Sequence, residues 1–112
     1  MPDDQFLTAL SPLDDRYARE TAPLREYFSE FAYIRARVRV EIDYLIALAH
    51  TAHLVRPLSD SETHLLQSIA SNFSADDARA VKAHESITRH DVKAIEYFLR
   101  DRLASTSLAD II

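Results

Sequence analysis

Between residues 30 and 52 the apolar positions follow two incompatible rhythms. Arg37-Val38-Arg39-Val40-Glu41-Ile42-Asp43-Tyr44 alternates strictly, as a half-buried strand does. Phe31, Ile34, Val38, Ile42, Leu45 and Leu48 recur every three or four residues, as one face of a helix does. Two considerations favour the helix. The apolar pattern persists for roughly 20 residues, far beyond the usual length of a strand. Arg37 with Glu41 and Arg39 with Asp43 stand four apart, a spacing at which opposite charges support a helix.

The remaining segments are punctuated more clearly. Pro57 closes the long segment, and Ser59-Asp60-Ser61-Glu62 has the spacing of a capping box with Leu65, Leu66 and Ile69 behind it. This predicts a helix that stops near Asn72. Ser74-Ala75-Asp76-Asp77 opens another that runs to about Ser86, and the last spans about Asp91 to Leu103, with Val92, Ile95, Leu99 and Leu103 on one face. Residues 1–15 read as irregular, with a turn at Ser11-Pro12-Leu13-Asp14-Asp15. A short helix is expected near Ala22-Pro23, because proline suits a first helical turn. The tail from Ala104 has no firm assignment, and Leu108-Ala109-Asp110-Ile111-Ile112 reads as an exposed stub leading towards a further domain. The expectation is an all-α chain of about five helices forming one domain over residues 1–112, without internal repeats or low-complexity stretches.

Composition narrows the functional classes. The 112 residues include no glycine, where average usage of about 7% would give roughly eight. Glycine-rich phosphate loops of the Walker and dinucleotide types are therefore excluded. So is the usual glycine helix stop, which leaves Asn72, the single asparagine, as the expected left-handed terminator. The absence of cysteine excludes disulfides and thiolate metal sites. A net charge of −5 argues against general nucleic-acid binding. No apolar run reaches membrane-spanning length, and Met1-Pro2-Asp3-Asp4 is acidic where a signal peptide is basic, so a cytoplasmic location is the default.

Positive charge is nevertheless clustered. Arg16, Arg19, Arg25, Arg35, Arg37 and Arg39 fall within 24 positions, and all but Arg16 are expected to pair with nearby acids on helix surfaces. Arg16 stands in Asp14-Asp15-Arg16-Tyr17, where a guanidinium fork and a phenol could meet a phosphate or carboxylate. The plainer alternative is a surface arginine beside a packed tyrosine. The richest stretch is Thr88-Arg89-His90-Asp91, which puts a guanidinium, an imidazole and a carboxylate at a helix start, where free N–H groups and a partial positive charge suit anions. Thr88 and Asp91 fit a weak capping-box spacing. Two readings stand side by side: a substrate-anion site, or an ordinary capped helix whose histidine faces solvent. His50 and His53 lie three apart but have no further ligand beside them, so no metal site is expected. His64 and His84 are expected on the surface without partners.

Three long segments in register carry a resemblance. Leu7-Thr8-Ala9-Leu10-Ser11-Pro12-Leu13-Asp14-Asp15-Arg16-Tyr17 is the first. The second is Ala22-Pro23-Leu24-Arg25-Glu26-Tyr27-Phe28-Ser29-Glu30-Phe31, continued by Arg35-Ala36-Arg37-Val38-Arg39-Val40-Glu41. The third is Thr88-Arg89-His90-Asp91-Val92-Lys93-Ala94-Ile95-Glu96-Tyr97-Phe98-Leu99. Together, over residues 6–103, the chain resembles the N-terminal domain of the adenylosuccinate lyases, members of the fumarase/aspartase superfamily.

The resemblance implies a β-elimination without metal or organic cofactor. It releases fumarate from adenylosuccinate, giving AMP, and from the succinylated carboxamide ribotide of purine biosynthesis. It implies that Arg16 and Tyr17 contact the phosphate end of a purine nucleotide substrate, and that Arg89, His90 and Asp91 line the site. His90 would donate a hydrogen bond or a proton as an auxiliary catalytic group. Asp91 would either fix the imidazole tautomer or bind a ribose hydroxyl. It further implies a homotetramer in which three subunits complete each active site.

Two departures accompany it. The family has glycine before the Arg-Tyr pair where this chain has Asp15, which is harder to fit to a glycine-type backbone angle and adds negative charge. The serine-bearing signature loop, the downstream histidine region and the central helical bundle have no counterpart in these 112 residues, so the isolated chain is expected to be inactive. Another lyase of the same superfamily and a non-catalytic helical interaction module are the competing expectations.

Overall fold

The computed structural model describes residues 7–112; the acidic start Met1–Asp4 and the opening of the irregular segment 1–15 lie outside them. Among the described residues every regular element is helical. The four long helices are α1 (Glu30–His50), α2 (Asp60–Ser71), α3 (Ala75–Thr88) and α4 (Asp91–Leu103). The chain divides into two compact units, one ending at Tyr33 and the other spanning Ile34–Ile112.

In the first unit the expected turn is a single 3₁₀ turn, Pro12–Asp14. Ser11 caps it, accepting from the Leu13 N–H at 3.1 Å while the Ser11 N–H donates to Asp14 Oδ1 at 3.0 Å. The short helix foreseen near Pro23 is broken into three pieces: Ala18–Thr21, the 3₁₀ turn Ala22–Leu24, and Arg25–Phe28. Ser29 then turns extended, with φ −72° and ψ 162°, and its hydroxyl accepts the Ala32 N–H at 3.1 Å as α1 begins.

The long ambiguous segment is helix throughout. Ile34, Val38, Ile42 and Ala49 are buried, while Val40 is 64% exposed. A strand would have put Val38, Val40 and Ile42 on one face; the helix separates them. The second unit's core joins these residues to Leu66, Ile69 and Ala70 of α2, Ala78 and Val81 of α3, and Ala94, Ile95, Phe98 and Leu103 of α4. Phe73, between α2 and α3, meets Phe98 edge-on with ring centres 5.7 Å apart.

The buried face of α4 keeps Ile95 and Leu103 of the expected stripe and widens on one side. Val92, assigned to that stripe by spacing, is 49% exposed in the first turn, whereas Ala94 and Phe98 are buried. The expected capping box at Ser59 forms, its Oγ accepting the Glu62 N–H at 3.1 Å, and the structure adds a second at Ser74, whose Oγ accepts the Asp77 N–H at 3.2 Å. Asn72 is not left-handed, having φ −104°; its N–H donates to Ser68 O and simply ends the last turn of α2. The left-handed stops are His53 after α1 and Arg89 after α3, each at φ 54°. Without glycine, two larger side chains occupy the backbone conformation it usually takes.

The C-terminal stub is not exposed along its length. Ser107–Asp110 forms a 3₁₀ turn in which Leu108 is fully buried. Arg56, in the connection between α1 and α2, clamps that turn. Its guanidinium donates to both Asp110 oxygens at 2.8 and 2.9 Å, to both Glu62 oxygens at 3.1 and 2.9 Å, and to the Ser107 carbonyl at 2.9 Å. Glu62 is the one charged residue in the described core, 7% exposed, and Arg56 holds its carboxyl far below the usual range, with help from the Ser59 N–H and the Ser107 hydroxyl. No described helix is long and apolar enough to cross a membrane.

Candidate functional site

Helices α3 and α4 form a hairpin joined by two residues, Arg89 and His90. Early residues of α3 meet late residues of α4. Asp77 pairs with Arg102, and His84 Nε2 lies 2.6 Å from Asp101 Oδ2 while its ring stacks on Tyr97. His84 is therefore a partnered hairpin residue and not the isolated surface histidine expected from its neighbours in sequence. The pairing brings together residues 17 positions apart, which local sequence does not show.

The tight connection fixes the geometry of the candidate residues. Arg89 is left-handed at φ 54° and ψ 32°, and its N–H donates to Glu85 O at 2.7 Å, closing α3. A non-glycine residue there costs on the order of 1 kcal/mol or more, and such residues concentrate at functional sites. His90 then returns to extended backbone, φ −142° and ψ 114°, and becomes the N-cap of α4. Its Nδ1 accepts the Lys93 N–H at 3.1 Å. The capping role that spacing assigned to Thr88 belongs to His90. Thr88 is the last residue of α3, and its hydroxyl oxygen accepts the His90 N–H at 3.2 Å, bracing the connection.

This cap has a chemical consequence. A neutral imidazole whose Nδ1 accepts carries its proton on Nε2. His90 is exposed, so it presents an N–H donor from the helix start. Asp91 follows as the first residue of α4. Its Oδ1 accepts the Val92 N–H at 2.8 Å, and its Oδ2 accepts from Arg37 Nη1 of α1 at 2.7 Å. Arg37, then the Val92 N–H, lower the Asp91 pKa below the ordinary aspartate value. Asp91 makes these bonds while the Lys93 N–H sets the imidazole tautomer. Arg89, His90 and Asp91 therefore stand together as a guanidinium, an N–H donor and an ionised carboxylate at one helix terminus, all three exposed.

Arg16 and Tyr17 lie in the first unit and the trio in the second. The Arg16 guanidinium carbon sits 5.0 Å from the centre of the Tyr17 ring, and both residues are exposed. Stacking of this kind orients a guanidinium while leaving its donor edge open. Asp15, in the family's glycine position, has φ −121° and ψ −109°. Its φ is negative, so no left-handed angle is required of the aspartate. Among the described residues there is no group of three or more histidines and acids that could hold a metal ion. The residue that sequence reasoning missed is Arg37. Its bond to Asp91 spans 54 positions, which the spacing of neighbouring charges along α1 does not show.

A cation, an imidazole donor and a carboxylate thus share one helix start, and comparisons with known proteins show the family of the chain that carries them. No family model matches the chain. It is 48% identical over 99 residues to the adenylosuccinate lyase of Haemophilus influenzae, a match covering 87% of this chain and 22% of that protein. The adenylosuccinate lyases of Vibrio cholerae and Dictyostelium discoideum are 46% and 42% identical over 101 residues, covering 88% and 87% of this chain and 22% of each relative. The chain belongs to the adenylosuccinate lyase family and spans about a fifth of the length of the curated relatives it matches.

Proposed function

We propose that this chain is the N-terminal part of an adenylosuccinate lyase, with Arg89, His90 and Asp91 lining the substrate site and Arg16 and Tyr17 at its phosphate end. The observation that carries the reading is the His90 cap, which turns an Nε2–H outward at the start of α4 between Arg89 and Asp91. The substrate, adenylosuccinate or the succinylated carboxamide ribotide, bears a phosphate and two carboxylates. Arginine forks and the partial positive charge of a helix start complement that charge. The His90 N–H is suited to donate to the purine-side nitrogen as its bond to the departing fumarate breaks. Products are fumarate with AMP or the free carboxamide ribotide.

The serine-bearing loop and downstream histidine to which the family's resemblance assigns the main chemistry are not among these residues. In the proposed enzyme, a cytoplasmic homotetramer, three subunits complete each site, and this segment alone does not turn over. Following fumarate release from adenylosuccinate tests both halves: the full-length protein should produce it and the 112-residue chain should not. Turnover by the chain alone, or none by the full-length protein, contradicts the proposal. A second reading, a non-catalytic interaction module, is favoured by large apolar side chains left on the surface, Val40, Tyr44, Leu54 and Ile87 among them. It predicts no affinity of the full-length protein for AMP, whereas the lyase reading predicts saturable binding.

A further inference from the structure

Asp91 is oriented by a residue that belongs to neither candidate motif. Arg37 rises from α1 between the buried Ile34 and Val38, and its side chain is 25% exposed, against 53% for that of Asp91. The 2.7 Å bond from Nη1 to Oδ2 joins two charged groups, the stronger kind of hydrogen bond. The Val92 N–H takes Oδ1 from the other side at 2.8 Å. The carboxylate is thus held at both oxygens, yet each carboxylate oxygen has about two acceptor positions. Even with the Asp91 backbone N–H also turned to the carboxylate, acceptor capacity remains for a donor from outside. Because the Lys93 N–H already fixes the His90 tautomer, Asp91 is not needed for that task.

We infer that Arg37 is a positioning residue: it fixes the Asp91 carboxylate at the start of α4 so that its open lone pairs receive a hydroxyl of the substrate. The inference rests on the reading of Arg89, His90 and Asp91 as a substrate site. It assigns Asp91 to substrate binding, away from the bond that breaks. Loss of Arg37 leaves the carboxylate held at Oδ1 alone by the Val92 N–H, so that Oδ2 is no longer fixed and binding requires it to be ordered afresh. Interactions made equally in ground and transition states appear in KM and leave kcat alone.

The test is a double-mutant cycle in the full-length protein, reading initial rates of fumarate release from adenylosuccinate. Arg37→Ala should raise KM about fivefold or more with kcat within about twofold, and Arg37→Lys should recover part of that loss. In an Asp91→Asn background, Arg37→Ala should change KM by less than about twofold. Three results would overturn the inference. If Asp91→Asn raises KM but Arg37→Ala does not, Asp91 needs no positioner. If the two effects multiply in full, Arg37 acts elsewhere. If Asp91→Asn changes neither KM nor kcat, the substrate-site reading of the helix start fails and the role of Arg37 falls with it. Far-ultraviolet circular dichroism of each variant, with the milder Arg37→Lys and Asp91→Asn, separates these outcomes from loss of fold.

Discussion

Replacing His90 with alanine removes a single acceptor from the start of α4 and leaves the core untouched, because the residue is exposed and the hydrogen bond of its side chain is the 3.1 Å contact from the Lys93 N–H to Nδ1. Loss of an N-cap side chain costs about 1 kcal/mol, within a range of roughly 0.5–2. For a chain of this size that corresponds to a fall of roughly 4–8 °C in the thermal midpoint. With a urea slope of roughly 1–3 kcal/mol per molar, the midpoint should move down by about 0.3–1 M. Asparagine is among the best N-cap residues and offers an acceptor at similar reach, so His90→Asn should stay within about 0.3 kcal/mol of the parent. Urea titrations followed by circular dichroism, on the parent and both variants, give the comparison. The reasoning fails if alanine is as stable as histidine, since Nδ1 would then cap nothing. It fails equally if asparagine destabilises as much as alanine, since the acceptor would then not be what matters.

Three further outcomes follow from the same geometry. Ile95→Ala should cost about 2–5 kcal/mol, because Ile95 is 1% exposed within the packed face of α4; a loss under about 1 kcal/mol in denaturant titration would mean this face is loosely packed. Arg56 keeps the Glu62 and Asp110 carboxyls ionised well below their usual range, so their stabilisation is complete above the unfolded values near about pH 4 and is lost as the pH falls below them. Arg56→Ala should therefore lower stability at neutral pH and flatten its decline under acid; an unchanged pH–stability curve would refute the clamp. Arg16→Ala should weaken AMP binding to the full-length protein by roughly tenfold, the scale of one lost charged hydrogen bond, and calorimetric titration showing unchanged affinity would remove Arg16 from the phosphate end.

What could be read from the chain depended on how far apart the interacting residues lie. Ser59 with Glu62 is three apart, and that capping box forms as its spacing indicates, while Ser74 opens α3 where expected. The long helix α1 was legible because its apolar period outlasts any strand. The position of His90 at a helix start was legible too, but its role as the cap was not, since serine and threonine dominate that position and Thr88 stood nearby. Asn72 is not the left-handed stop, since Ser68 accepts its N–H without such an angle; the positive φ falls on His53 and on Arg89, the latter where a two-residue connection reverses the chain. Arg37 with Asp91, and Arg56 with Asp110, are each 54 positions apart. No local spacing reports them, although they order the candidate carboxylate and the C-terminal turn. The match of the three long segments to one family carries the proposed function, which neither the Arg-Tyr pair nor the Arg-His-Asp trio could carry alone.

The most direct measurement is steady-state turnover of adenylosuccinate by the full-length protein carrying His90→Asn, the variant that keeps the α4 cap. With the helix intact and the imidazole gone, the account predicts that kcat falls by about a hundredfold or more, the scale of a positioned proton-transfer or hydrogen-bonding group. A kcat within about twofold of the parent would show that His90 serves only to start the helix, and the claim that this terminus meets the substrate's reacting end would be wrong.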